Sequence, residues 1–526
     1  MSYLSNYQST KPAVTSTSPM TLSLGCVLFA LFLCAPPPSY SNTLSNTWST
    51  IDRSLSIFDP VGEYVSQPIE KAVPALTFKG FFRQWSDIGL HRNQKVGFRN
   101  KDFRFLQLQN LLEIELHYQF TDNLELTSIN HFLYDGVYNW QDSGGLFAPR
   151  ISETARHYHN LERIVREFHL SYRTHSFDIV LGKQQIAWGK MDGRFIDMIN
   201  PMDVRESVQL EASDFEYRRI PTWMANATYF WGPNSLQVLY IPNFEQERLP
   251  TVGSPWFPPS VPPLDAVVKR RKRPSAGDFG DHEYGLRLDM AKDALTWGLI
   301  YFYAWNDNPN FFITGRDGDR PILTPRHTRL HHLGMTADYA TSFSGVPIVG
   351  DLPVVVRIEG LLSFGVKFAD RQRQVLALEG GENGGHRSRD TLRAAIALEV
   401  ALPENTTFIL QPSLFTTFGW RKSIVGSGFG GASDRNEWNL LPVVHLERPF
   451  RFTRDRLRAS MTVFPFLGGP GRHHEGTKTK LVVSYKFSRF ITGRVIYTTY
   501  DGGGRNSSYG QYNKWDNIGW ELSYEF

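Results

Sequence analysis

The stretch DNIGWELSYEF, Asp516–Phe526, decides the fold. Ile518, Trp520, Leu522, Tyr524 and Phe526 fall on one parity, and Gly519, Glu521, Ser523 and Glu525 on the other. A period of two is a strand with one apolar face and one wet face. Chain ends are ordinarily polar and frayed. An apolar strand running to the final residue therefore predicts a partner that holds it.

Composition says what kind of partner. Aromatic residues make up 14% of the 526 residues (37 Phe, 22 Tyr, 13 Trp), yet mean hydropathy is −0.32. A helical membrane bundle is excluded, since each span needs about 20 consecutive apolar residues. Disorder is excluded by the aromatic content. A hydrophilic mean with many aromatics is what a lipid-embedded barrel requires: apolar outer wall, polar inner wall, aromatic girdles at both interfaces. The net charge of +4 does not call for nucleic acid, and no helical basic stripe appears.

The one long apolar run is TLSLGCVLFALFLCAPPPSYS, Thr21–Ser41. Its core, Leu22–Ala35, has the length of a signal peptide, so residues 1–41 are expected to be cleaved. Cys26 and Cys34 both lie inside it. The mature chain then has no cysteine, hence no disulfide and no thiolate metal site. Residues 42–76 follow, with Leu44, Trp48, Ile51, Leu55 and Phe58 on one helical stripe before Asp59-Pro60 breaks it. They predict a helical segment at the periplasmic rim or a small plug in the lumen.

From Thr77 onward one unit recurs: strand, tight turn, strand, long polar loop. The turns include Thr121–Asn123, Arg173–Ser176, Trp231–Ser235, Ala291–Ala294, Pro403–Thr406, Phe452–Asp455 and Phe487–Phe490. These are hairpin signals. The long connections are Asp135–Leu161, Lys190–Pro221, Asn243–Gly280, Asp307–Thr328, Lys367–Arg389, Arg421–Glu437, Leu467–Thr477 and Asp501–Asn513. Short turns at one end and long loops at the other predict an all-β fold for residues 77–526. It is a transmembrane antiparallel outer-membrane barrel of about 18 strands, with 16 the alternative count, short periplasmic turns and long extracellular loops. The opening strand is then a stave, and closure against the first strand satisfies its edge. Its aromatic end also resembles the signal that the barrel-insertion machinery of Gram-negative bacteria recognises, carried by Trp520, Tyr524 and Phe526.

Alternation assigns an inward set: Glu113, Glu115, His117, Arg287, Asp289, Arg357, Glu359, Arg393, Glu399, Arg458, Lys486, Glu521 and Glu525. Both signs occur. Such a set lines a hydrated lumen or pairs with itself across strands. The basic run in Val267–Ser275 is a solvated loop or a contact for lipopolysaccharide phosphates. His473, His474 and Glu475, and likewise His327, His331 and His332, lack placed third and fourth ligands, so no metal site is assigned. No cofactor is expected, and no P-loop, dinucleotide fingerprint or nucleophile elbow appears. A barrel enzyme would need a Ser/His/acid set at the rim, and nothing picks one out.

One connection stands apart. Gly182–Met224 reads GKQQIAWGKMDGRFIDMINPMDVRESVQLEASDFEYRRIPTWM. It is too long to be a mere connector. Lys183, Gln185, Trp188, Arg194, Asp197, Asn200, Asp203, Arg218 and Arg219 are its candidate constriction residues, in a loop folded into the barrel mouth. The alternative is a surface cap held by its own salt bridges. Gly182, Gln184, Trp188-Gly189, Asp197, Asn200-Pro201, Asp203 and Arg219-Ile220-Pro221, followed by SLQVLYIPNF, resemble the uncharacterised outer-membrane barrel family known as domain of unknown function 1302. The resemblance is best over Val165–Pro250. It implies a barrel working with a periplasmic lipid-handling protein and an efflux-type inner-membrane pump, and cargo that is hydrophobic or amphiphilic. The expected function is an outer-membrane channel or transporter, in contact with membrane lipid, lipopolysaccharide and the barrel-assembly machinery. A structural barrel within a lipid or hydrophobe pathway is the second reading.

Overall fold

A computed structural model describes residues 67–526 except 92, 96, 101–104, 140–146, 149–152, 161–163, 190, 192–197, 206–214, 252–253, 259–264, 271–272, 347–349, 381, 427–435, 470–472, 505–506 and 514. The expected signal peptide, most of the 42–76 segment, Arg194 and Asp197 lie outside the described residues. A short helix at 67–72 leads into the first strand.

The staves are β1 (Leu76–Gly89), β2 (Phe105–Thr121), β3 (Leu124–Asp135), β4 (Val165–Arg173), β5 (Phe177–Gln184), β6 (Thr222–Trp231), β7 (Asn234–Ile241), β8 (Glu283–Lys292) and β9 (Leu295–Trp305). They continue as β10 (Arg329–Val346), β11 (Gly350–Asp370), β12 (His386–Leu402), β13 (Thr406–Thr417), β14 (Trp438–Pro449), β15 (Leu457–Gly469), β16 (His473–Lys486), β17 (Ile491–Asp501) and β18 (Asn517–Glu525). One 19-stranded sheet holds them. Setting aside the short Ile424–Gly426 piece at the rim, 18 antiparallel staves remain among the described residues. Each pairs with its sequence neighbours. β18 pairs with β1 in the register Phe81↔Glu525 to Gly89↔Asn517. Gly80 and Phe526 exchange backbone bonds of 3.0 and 2.9 Å, and the Phe526 ring stacks on Phe78. The terminal strand is thus held by the first one, and the wall has no edge.

Alternation sorts the two faces. Leu181, Leu299, Ile396 and Val495 point outward and are each about half exposed. Trp520 and Leu522 do the same on β18. This apolar belt faces lipid. The tight turns use the chemistry hairpins need: in the Asp293-Ala294 turn, Asp293 takes a left-handed φ of 53°.

The loop end differs from the sequence reading in two places. A long connection, 90–104, joins β1 to β2; its Gly97–Asn100 strand pairs with Phe147–Ala148 of the β3–β4 connection. The expected Leu467–Thr477 loop is short, because Leu467 and Gly468 pair with His474 and His473 and extend the strands. Over the mouth, Val137, Tyr138, Trp256, Tyr512 and Trp515 from three connections form one apolar cluster with Leu106 and Tyr500. Trp515 Nε1 donates to the Pro255 carbonyl at 3.0 Å, which ties the β7–β8 connection to β17–β18.

Candidate functional site

The connection 185–221 is built around one asparagine. Pro201 biases Asn200 toward extended backbone, and Asn200 is fully buried. Its Oδ1 accepts from Ile186 N–H at 2.7 Å, and its Nδ2 donates to the Ile220 carbonyl at 3.0 Å. It therefore staples the departing and returning legs of the loop. Beside it, Ile220 N–H donates to Pro201 O and Asp203 N–H to Arg218 O, both at 2.7 Å. Arg248 N–H donates to Met202 O at 3.0 Å. Residues 201–204 thus lie between 218–220 and Arg248 as a small strand.

Charge locks this base. Asp203 accepts from Arg205 Nε at 2.8 Å and from Arg205 Nη2, and Arg248 Nη1 stands 3.7 Å away. Arg205 Nη1 donates to the Tyr158 carbonyl at 2.9 Å. Burial alone would raise the Asp203 carboxyl; Arg205, and behind it Arg218 and Arg248, hold it well below the usual carboxylate range.

From this base the loop reaches two walls. Trp188, 2% exposed, packs with Ile199 against Met224, Leu239, Ile241, Ile300, Phe302 and Leu361 of the inner face. Its Nε1 donates to Gln237 Oε1 at 2.7 Å, and its carbonyl accepts from Arg287 Nη1 at 2.8 Å. A Cβ at Gly285 would sit 2.9 Å from the Trp188 ring, so the seat is cut for glycine. Farther on, Met191 N–H donates to Glu359 Oε1 at 3.2 Å, and its side chain meets Ala395 and Ala397 of β12. The returning leg reaches β1, β2 and β4. Arg218 Nη2 donates to Gln109 Oε1 at 3.2 Å, and Arg166 donates to Tyr217 O at 2.8 Å and to Gln185 Oε1 at 3.2 Å. The Arg83 guanidinium lies 4.5 Å from the Tyr217 ring centre. The loop is fastened to both sides of the barrel interior.

Of the nine loop residues named from sequence, Gln185, Trp188, Asn200, Asp203 and Arg218 stand in this assembly. Arg219 contributes its backbone, bridging to Met202. Lys183 stands elsewhere. It lies opposite Phe168 and Trp223, both exposed on the outer face, and its Nζ donates to Val165 O at 2.6 Å. Strand parity, two residues on from Leu181, places it outside.

The lumen-lining candidates all share the face opposite the apolar belt. Most are paired: across strands, Glu113 with His131 and Arg357 with both Glu399 and Asp338; along one strand, Glu115 with His117 at 3.3 Å and Arg287 with Asp289 at 2.7 Å. Arg458 meets Glu447 at 3.3 Å and Arg494 meets Glu521 at 3.1 Å. Glu359 holds Met191, Arg393 lies opposite Leu361 and Phe415, and Lys486 lies opposite Thr492. The partners His131, Asp338, Glu447 and Arg494 escaped the sequence reading. The same alternation, counted along the neighbouring strands, holds the signal for them.

A closed antiparallel barrel with an apolar belt, a charged inner face and a loop folded within it has the architecture of an outer-membrane-type β-barrel. The model of the family described as "Protein of unknown function (DUF1302)" matches residues 73–380. That is more than half of the chain, and the chain belongs to this family. The matched stretch contains the whole 185–221 loop. No curated protein matches the sequence. Similar solved structures include Acinetobacter baumannii OccAB1 (10% identity, 86% of this chain and 96% of that one, TM-score 0.48). The outer membrane protein opdK from Pseudomonas aeruginosa (11%, 86% and 98%, 0.46) and a BenF-like porin from Pseudomonas fluorescens Pf-5 (8%, 86% and 98%, 0.49) are also similar.

Proposed function

We propose that the protein is a passive outer-membrane channel or transporter whose lumen is narrowed by the 185–221 loop. The observation that carries this reading is the double attachment of that loop, by Met191 to Glu359 on one wall and by Arg218 to Gln109 on another. A surface cap has no reason to bury a tryptophan and a methionine against the inner face of the barrel. Paired charges along the same face give a polar path with a transverse field, without the single-sign ladder of a strictly selective pore. The cargo we assign is hydrophobic or amphiphilic, as the family resemblance implies. A periplasmic lipid-handling protein and an efflux-type inner-membrane pump are its proposed partners.

Single-channel conductance in a planar bilayer tests the reading, using the mature protein and a deletion of residues 191–213. Conductance by the intact protein, or by the deletion alone, supports a channel with a loop constriction. Silence from both forms sinks the channel. A barrel serving as the structural outer-membrane part of a lipid or hydrophobe pathway then takes its place.

A further inference from the structure

Three prolines lie in one row across three neighbouring staves. Pro412 of β13 stands directly opposite Pro442 of β14. Continuing the register from Leu440↔Leu467 to Val444↔Val463 places Pro442 opposite Pro465 of β15. Proline has no N–H, and in sheets it belongs at edges and bulges. Here it sits in the middle of an edgeless wall.

The ladder lapses where the prolines dictate. Between β14 and β15, no pairing joins Leu441, Pro442 and Val443 to Phe464, Pro465 and Phe466. In antiparallel pairing a residue turns its N–H to one neighbour only. Pro412 and Pro442 pair in the ladder between them, so that pair is the kind that exchanges no bonds of its own. The missing donor of Pro442 therefore faces β15. Pro465 pairs likewise with Thr477 of β16, so its missing donor faces β14. Two absent donors confront each other, and the pair of N–H···O hydrogen bonds that would close this point cannot form. Beyond Pro412 the β12–β13 ladder also lapses, at Ile396 and Ala397.

The inner face changes character at the same height. Below the row it is polar, with His445, Glu447, Ser460 and Thr462 inward. Level with the row, Leu441, Val443, Phe464 and Phe466 point inward on β14 and β15, beside the polar Gln411 and Ser413 of β13, with Phe415 a step nearer the loop end. The Lys478 ammonium lies 4.9 Å from the Phe464 ring centre, a cation beside an apolar patch. Met191, at the far reach of the loop, packs on the lumen side of β12 next to Phe415.

We propose that the wall between β14 and β15 is a lateral exit. Through it a single-chain anionic amphiphile passes between lumen and membrane, its chain on Leu441, Val443, Phe464 and Phe466 and its headgroup beside Lys478. The inference rests on the transporter reading and names its cargo and its route. A backbone opening inside a bilayer is costly wherever polar groups meet hydrocarbon. Proline lowers that cost, because the opened point has no N–H to strand.

Two variants of the mature protein in liposomes test the exit. Leu441→Cys with Phe466→Cys forms a non-bonded cross-strand pair, the geometry that suits a disulfide. Pro442→Val with Pro465→Val restores both donors, and favours folding rather than threatening it. The readouts are transfer of a fluorescent fatty acid into the bilayer and single-channel conductance. The exit requires that transfer be lost on oxidation of the cysteine pair, return on reduction, and be slowed in the valine pair, with conductance the same in the oxidised and reduced forms and the same in the valine pair and the parent. Equal transfer in locked and reduced forms, or in the valine pair and the parent, overturns the exit and leaves the channel standing. A parent that conducts ions but passes no fatty acid overturns the exit as well. A parent that passes neither overturns the exit, and the channel falls with it when the deletion of residues 191–213 is silent too.

Discussion

Two stretches of the inner wall carry apolar side chains, and they serve different ends. On β6 to β11, Leu239, Ile300, Phe302 and Leu361 back onto continuous ladders and are covered by Trp188 and Ile199 of the loop. On β14 and β15, Leu441, Val443, Phe464 and Phe466 back onto a ladder that proline has interrupted. Hydrophobicity facing a lumen therefore has no single meaning. With an intact wall behind and a chain segment in front, it is the seat of a plug. With a broken ladder behind, it is a lining that leads outward. The hydrogen-bond register separates the cases, and composition does not.

Breaking the first seat has the largest expected effect. Trp188→Ala removes a side chain buried to 2% exposure, a change that costs about 3–5 kcal/mol in a packed core. The loop should leave the wall while the barrel stays closed. Conductance is expected to rise, with protease cutting within the loop and heat-modified gel mobility unaltered. An unchanged conductance would deny that the loop narrows anything.

Asn200→Ala acts one level back. It strands the Ile186 N–H and the Ile220 carbonyl, at about 1–3 kcal/mol for each buried group left unpaired. Open-channel noise should increase as the two legs separate, to a smaller degree than with Trp188→Ala.

Acid sharpens the same point more gently. The folded Asp203 carboxyl lies below its ordinary value of 3.8, so its ion pairs stabilise the loop base fully above that value. That contribution is lost only as pH falls further toward the lowered folded value. Conductance should hold steady from neutral pH down to the ordinary value and rise below it. Asp203→Asn should give the acid behaviour at neutral pH. The smallest effect is expected at the rim: Arg458→Ala breaks a pair whose side chains are 55% and 38% exposed, worth at most about 1 kcal/mol. Neither apolar stretch should respond, and a shift in melting beyond experimental scatter would show that the rim pair is coupled to them.

Much of the wall was legible because strand parity is local. DNIGWELSYEF states its two faces without help, and so do the staves carrying Arg287, Arg357 and Glu399. Lys183 was legible too, since Phe177, Ile179 and Leu181 set its parity, but it stood at the head of the loop and was read with it. The site itself was legible only as residue types. Asn200-Pro201 and Asp203 mark a turn-like polar knot; that Asn200 binds two distant backbones and Trp188 fills a seat beside Gly285 depends on tertiary approach. The proline row was hidden in another way. Each of QPS, LPV and FPF shows one proline in an apolar run, which merely weakens a strand assignment. Their alignment exists only once three registers are known.

The closure of β18 on β1 sets an order of events for making the molecule. The two staves that meet at Gly80 and Phe526 lie at opposite ends of the described chain, so this pairing has the greatest sequence separation in the wall. Pairings of that kind form slowly, because a very large loop must be closed before any contact rewards it. Until then β1 and β18 are both naked edges, the state in which chains join one another instead of themselves. The aromatic cluster of Phe78, Tyr524 and Phe526 sits at that late junction. Its hydrophobic weight falls on the step where a half-made sheet chooses between becoming a cylinder and becoming an aggregate.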